Sequence, residues 1–293
     1  MANYDVVGNV VIVKFRQEDK LKDKKKFAED FLKKHKSVRT VLEKVGGFSG
    51  RLRTQVTKFI AGEKTKEVLY KENGCEFRFN VDTCYFSPRL STDRLEVSGM
   101  IKKGENVLVM FGGVGPYAVV IGKQSKAEKV VSVELGREPT KYAKENIKRN
   151  KLQGKVEAVG GDVRRRVPEL KERFDRIVMA RPNLKDSFLD VAFRVLKKGG
   201  IIHYHGFYPE AERGEMIEMI KVEAKRARKK IKILRVKKAG EIGTKKYRYR
   251  VDLKVSLFIE ADEPNTYLPG SLSNLAVWAA SNSHCNLFLI SGV

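Results

Sequence analysis

Five short apolar runs recur through the middle of the chain: NVLVM from Asn106, KVVSVEL from Lys129, KVEAVGG from Lys155, RIVMA from Arg176 and GGIIHYHGF from Gly199. Each has the length of a strand and the hydrophobicity of one buried on both faces. Between them lie stretches of helical character, such as Glu138 to Asn150 and Asp186 to Lys198. Strand and helix in alternation predict an α/β domain with a doubly wound, mostly parallel, seven-stranded sheet. A helix around 211–229 and two final strands, IKILRVKKAG and KYRYRVDLKVSLFIE, complete it, the two strands paired antiparallel at the sheet edge.

The first 97 residues follow a different rhythm. YDVVGNVVIVKF reads as a strand pair bent at Gly8, and Asp19 to His35 as a lysine-rich helix with Phe27, Phe31 and Leu32 on one face. Gly46 to Gly50 reads as a break before the basic stretch RLRTQVTKF, and Glu72-Asn73-Gly74 marks a hairpin between two alternating runs. We therefore expect a small α+β domain over 1–97, the sheet domain over 98–260, and a tail over 261–293. From Pro264 onward that tail holds no Lys, Arg, Asp or Glu.

Charge narrows the class of partner. Lys and Arg number 60 against 36 Asp and Glu, a formal charge of +24 over 293 residues. Such a field favours a polyanion, nucleic acid first, although a lysine-rich solvated surface would give the same total. No apolar segment of membrane-spanning length and no cleavable signal is visible, so no membrane partner is expected. The three cysteines, Cys75, Cys84 and Cys285, have no CxxC spacing, which fits a reducing cytoplasm and argues against a disulfide framework or zinc site. His203 and His205 flank Tyr204 on one strand face, but two ligands without a third imply no metal.

Gly113-Val114-Gly115-Pro116-Tyr117-Ala118 fits the G-x-G-x-x-A turn that lets a nucleotide approach the backbone at a helix N-terminus. NAD is one candidate. Glu134 ends the next strand, where an acid accepts hydrogen bonds from ribose hydroxyls, and Gly160-Gly161-Asp162 ends the third, where an acid can accept from an adenine amino group. The acid after the third strand favours S-adenosylmethionine over NAD. Taken singly, Asp162 could equally be an ordinary loop residue.

Three blocks carry a resemblance: CYFSPRLSTDRLEVSGMIKKGENVLVMFGGVGPYA, AEKVVSVELGREPTKYAKENIKRNKL and FRVLKKGGIIHYHGF. Over roughly Gly47 to Phe258 the chain resembles the archaeal and eukaryotic tRNA (guanine-37 N1)-methyltransferases and their wybutosine-pathway relatives. The resemblance implies a Rossmann-like class I S-adenosylmethionine-dependent methyltransferase domain preceded by a small tRNA-positioning domain. The module that recognises the tRNA elbow in many members is expected to be absent or replaced. The resemblance implies tRNA as the partner, and a cytoplasmic monomer is expected.

Guanine N1 becomes a nucleophile only when its proton leaves, which calls for a base near N1 and a cation near O6. By resemblance, Asp93 in STDR stands where the family has a glutamate proposed as base, and Arg53 where it has an arginine supporting O6. Asp93 could instead cap the helix that follows. Tyr85 and Phe111 are expected beside the cofactor with Gly113, Gly115, Glu134, Asp162 and Pro182. Arg89, Arg94 and Arg181 are expected to face RNA.

Two departures stand out. Val109 replaces an acid common near the end of the first strand, and Ala180-Arg181-Pro182 replaces an Asn-Leu-Pro-like motif. An Arg-Pro pair there is similar to the archaeal branch that also methylates carbon 7 of a wyosine precursor. The aminocarboxypropyl transferase branch is the other relative, and a catalytically degenerate RNA-binding protein is the reading from another class.

Overall fold

The computed structural model describes residues 3–181 and 186–257. Strands β1 (Asn3–Val7) and β2 (Val10–Lys14) form the expected hairpin around Gly8. After α1 (Leu21–Lys34), β3 (Thr40–Ser49) pairs parallel to β2, and β4 (Thr54–Gly62) pairs antiparallel to β3. The four form one sheet in the order β1-β2-β3-β4. The glycines expected to break the chain after Val45 do not end a strand. β3 runs on through Gly46 and Gly47 with irregular register, and the turn follows at Gly50, whose φ is +66°. Strands β5 (Glu67–Glu72) and β6 (Cys75–Asn80) form the hairpin read from Asn73-Gly74, both residues having positive φ as that turn requires.

The second sheet contains β7 (Asn106–Met110), β8 (Lys129–Glu134), β9 (Val156–Gly160), β10 (Phe174–Met179), β11 (Leu196–Pro209), β12 (Lys229–Gly243) and β13 (Lys246–Leu257). Its order is β12-β13-β11-β10-β7-β8-β9, parallel except around β13, which runs antiparallel to both neighbours. Helices α2 (Ser91–Gly99), α3 (Pro116–Gln124), α4 (Arg137–Arg149), α5 (Val163–Glu169), α6 (Leu189–Val195) and α7 (Arg213–Arg226) accompany it. The helix expected over 186–198 is shorter, because the chain joins β11 at Leu196 and turns through left-handed Gly199.

Alternation within β7 explains why the strand is apolar throughout. Val107 and Val109 join one core with α3, α4 and the β5–β6 hairpin, while Leu108 and Met110 join another with α5, α6 and α7. Val109 is fully buried in the first of these cores, so at this position the strand presents an apolar side chain. A third cluster, with Phe31, Val13 and Val41, seats α1 on the first sheet. Both sheet faces being covered, ligand space is left at the carboxyl ends of the parallel strands, where their order reverses.

Candidate active site

The chain leaves β7 through a turn that few side chains could occupy. Phe111 is left-handed at φ +63°, Gly113 at +56° and Gly115 at +87°. A methyl group on Gly112 would lie 2.0 Å from Ser132 Oγ, whereas one on Gly113 would meet only the Tyr85 carbonyl, at 3.8 Å. Gly113 therefore presents bare backbone to open space, and Pro116 begins α3 directly behind it. A bulky residue holding positive φ, as Phe111 does, is strain of the kind that accumulates at ligand sites.

Glu134 ties this turn to the next. Its Oε2 accepts from the Gly113 N–H at 2.8 Å and its Oε1 from the Gly136 N–H at 2.8 Å. Burial raises its pKa, an effect only partly offset by the N–H groups of Gly136, Gly113 and Leu135. Each oxygen keeps a lone pair for a ribose hydroxyl. Asp162 caps α5 by accepting from the Arg164 N–H at 2.9 Å and pairs with exposed Arg51 at 2.8 Å. The Arg164 N–H first, then Arg51, hold its carboxyl below the usual range.

Glu134 and Asp162 line one cleft of about 750 Å³, mouth included, together with Phe111, Gly113, Tyr85, Arg53, Ala180 and Arg181. Gly115 lies behind it against Ala143. Bare backbone with an acid at each of two strand ends fits an adenosine with an attached amino acid. Arg53, left-handed at φ +53°, stacks its guanidinium 3.9 Å from the Tyr85 ring centroid, and Phe48 meets the same ring edge-on. Arg181 donates to the Tyr204 hydroxyl at 3.0 Å and to the Asp186 carbonyl at 2.5 Å. Pro182 lies outside the described residues. Arg89 is exposed and pairs loosely with Asp5 at 3.2 Å, so its side chain is available to a phosphate.

Two expectations need correction. Arg94 does not face RNA: it is 1% exposed and gripped by both oxygens of buried Glu72. Asp93 is absent from the cleft wall and is 3% exposed. Its Oδ2 accepts from the Tyr117 hydroxyl at 2.5 Å and from His205 Nε2 at 2.9 Å, and its Oδ1 from Arg250 at 2.6 Å. Burial alone would raise its pKa, but His205, Arg250 and Tyr117 together hold it well below the usual carboxylate range. In this arrangement the carboxylate is held ionised, with its oxygens already taken by these three partners. It does not cap its helix, which starts without a side-chain cap.

The network continues behind Asp93. His203 donates from Nδ1 to Asp252 at 2.6 Å and accepts at Nε2 from Arg176 at 2.9 Å, while Arg176 pairs with Glu105. Arg250 also holds Asp252 and Glu96. Arg248, which sequence reasoning passed over, lies on the same face of β13 and lines the cleft. Its only sequence signal is an arginine at period two from two other charged positions.

A mostly parallel seven-stranded sheet with one antiparallel strand near its edge, a glycine turn after the first strand of that sheet and an acid after the second are the fold and site of a class I S-adenosylmethionine-dependent methyltransferase. Within that class the chain belongs to the TRM5/TYW2 methyltransferase family, whose methyltransferase-domain profile matches residues 68–234, while the TYW2 N-terminal domain profile matches 1–65. It is 35% identical to the Pyrococcus abyssi tRNA (guanine(37)-N(1))-methyltransferase Trm5b over 87% of this chain and 75% of that protein. The crystal structure of that relative superposes with a TM-score of 0.76, at 33% identity over 87% of this chain and 75% of that one. The Nanoarchaeum equitans tRNA (guanine(37)-N(1))/4-demethylwyosine(37)-methyltransferase Taw22 is 30% identical over 86% of this chain and 99% of its own. A complex of aTrm5 with tRNALeu has a TM-score of 0.75 at 25% identity, covering 86% of this chain and 71% of that one. Among the described residues no helix is long and apolar enough to cross a membrane.

Proposed function

We propose that the protein is an enzyme that transfers a methyl group from S-adenosylmethionine to N1 of guanosine 37 in tRNA. The observation that carries this reading is a single cleft with an acid-lined end, at Glu134 and Asp162, and an arginine-aromatic end, at Arg53, Tyr85 and Arg181. Relatives named for this reaction over most of both chains, and one captured with tRNA, support the choice of substrate.

S-adenosylmethionine, when bound, supplies an electrophilic methyl on a sulfonium. The chain's part is to place and polarise. Glu134 would accept from the ribose hydroxyls with the lone pairs its backbone partners leave free, and Asp162 would accept from the adenine amino group in place of exposed Arg51. Gly113 lets the amino-acid end pass close to the backbone, and Tyr85 offers a face for a flat ring. Arg53, held over Tyr85, would set a positive charge where O6 of the purine becomes negative as the N1 proton passes to solvent water. N1 would then take the methyl while the sulfonium leaves as the neutral thioether, S-adenosylhomocysteine. Asp93 acts at one remove: its fixed negative charge orients Tyr117, His205 and Arg250 behind that wall. Exposed arginines such as Arg89 meet phosphates. We read the protein as a cytoplasmic monomer, in keeping with the free thiols of buried Cys75 and Cys84, whose pKa values burial pushes up to about 11.

The test is nucleoside mass spectrometry of a tRNA transcript incubated with the protein and S-adenosylmethionine. N1-methylguanosine should appear with guanosine at position 37 and vanish when adenosine replaces it. Methylation at another position, or none, would refute the reading.

A further inference from the structure

Five arginines are buried among the described residues: Arg94, Arg176, Arg181, Arg248 and Arg250. Arg94 is neutralised by Glu72, Arg176 by Glu105, and Arg250 by Asp93, Asp252 and Glu96. Arg181 is anchored by the Tyr204 hydroxyl and the Asp186 carbonyl. Arg248 differs. It is 6% exposed, meets no carboxylate among the described residues, and donates only to the Arg181 carbonyl, at 3.4 Å. Its Nε has no partner.

Topology says where this cation points. On the facing sides of β11 and β13 the residues pair as rungs: His203 with Asp252, His205 with Arg250, Phe207 with Arg248. The first two rungs are closed by carboxylates; in the third the guanidinium lies over the Phe207 ring, 5.1 Å from its centroid. That rung is the one nearest the carboxyl end of β11, where the cleft opens. Arg248 lines both the cleft and the groove beside it, and shares that wall with Arg53 and Tyr85. An unpaired buried charge is costly, and two guanidiniums on one wall repel, so the arrangement is settled by an anion arriving there.

We propose that Arg248 is a catalytic and specificity-determining residue that binds the O6 edge of the target purine and, with Arg53, holds the charge formed there when N1 is deprotonated. This rests on the reading of the protein as a guanosine methyltransferase. The cofactor's carboxylate is the poorer candidate, because its amino-acid end is placed at Gly113, just after β7, and β13 stands three strands from β7, about 14 Å at the usual strand spacing. A backbone phosphate fits the exposed Arg51 and Arg89 better than a guanidinium enclosed in the wall. Guanidinium nitrogens only donate, so they donate to O6 of guanine and oppose the amino group of adenine.

The experiment is single-turnover methyl transfer to a guanosine-37 transcript at saturating S-adenosylmethionine, followed across pH, with cofactor affinity from calorimetry. Arg248→Met should transfer about 10²- to 10³-fold more slowly, the usual cost of losing one donor to a developing oxyanion. Its cofactor affinity should match wild type. Its rate should also need higher pH, because the N1 proton is harder to remove, while Tyr85, Tyr117, Asp93, His205 and Arg53 remain around the site. Arg248→Lys, which keeps the charge and loses the fork, should recover part of the rate. Should Arg248→Met fail to fold, Arg248→Lys carries the test alone, with a loss of about tenfold at unchanged cofactor affinity. Wild-type rates in both variants, or a loss traced wholly to cofactor affinity, would overturn the proposal while leaving the function intact. A wild-type protein that transfers nothing to guanosine 37 would overturn both.

Discussion

Glu134 and Asp93 are acids in two regions of one domain, and their surroundings drive them apart. Glu134 meets backbone N–H groups and, among the described residues, no cation, so burial lifts its pKa. Asp93 meets a guanidinium, an imidazole and a phenol, which more than offset its burial. The arginines repeat the contrast, Arg94 and Arg250 being saturated and Arg248 left open. Groups that bind a ligand keep spare capacity in the free protein, whereas groups that hold the fold have spent theirs on one another.

The filled region should be broken at greatest cost to stability. Glu72→Gln removes the counter-charge of a guanidinium that is 1% exposed, and should lower unfolding free energy by about 3–5 kcal/mol. Denaturant titration measures this. Cofactor affinity in the folded fraction should not change, and a Glu72→Gln protein as stable as wild type would contradict the assignment.

Acid comes next in size. His203 is neutral in the folded state, since burial lowers its pKa and its Nε2 accepts from Arg176. Between its lowered folded pKa and the ordinary value near 6.5, the unfolded chain binds the extra proton, so stability falls as pH drops through that window. The slope is at most about 1.4 kcal/mol per pH unit for one histidine. Asp93 and Asp252, whose folded pKa values are depressed, contribute stability that is present above about pH 4 and is lost below it. Melting temperatures between pH 8 and 3 should therefore decline in two stages, and a flat profile from pH 8 to 5 would argue against a neutral His203.

The smallest effect belongs to the surface. Arg89→Ala should change stability by less than about 0.5 kcal/mol, its pair with Asp5 being exposed. It should instead lower the slope of log affinity for tRNA against log salt by about one, as expected for one phosphate contact. An unaltered slope would remove Arg89 from the RNA-facing surface.

The sequence shows the open region better than the filled one. The runs NVLVM and KVVSVEL announce buried parallel strands, and Gly113, Glu134 and Asp162 follow at strand ends because the cofactor side of this fold is built from consecutive elements. The network joins residues far apart in the chain: His205 and Arg250 reach Asp93 from 112 and 157 positions away. Within STDR, nothing local distinguishes a catalytic acid from a buried one. KYRYRVDLKV reads as a strand near the sheet edge without showing which way its alternating charges face, and Arg248, Arg250 and Asp252 pack inward. Arg248 was hidden for that reason. Gly46 and Gly47 misled in the opposite sense, since β3 tolerates them where no side chain crowds the backbone.

The division between binding acids and structural acids is tested most directly by calorimetric titration of S-adenosylmethionine into Glu134→Gln and Asp93→Asn, two neutral replacements of matched shape, with melting temperatures taken on the same samples. Glu134→Gln should lose about 1.5–3 kcal/mol of binding energy, the scale of hydrogen bonds to a charged group, and melt close to wild type. Asp93→Asn should bind with wild-type affinity and melt lower, with a transfer rate that drops far less than the 10²- to 10⁴-fold expected of a lost general base. Wild-type binding by Glu134→Gln, or an Asp93→Asn protein of normal stability whose transfer step collapses, would contradict the account.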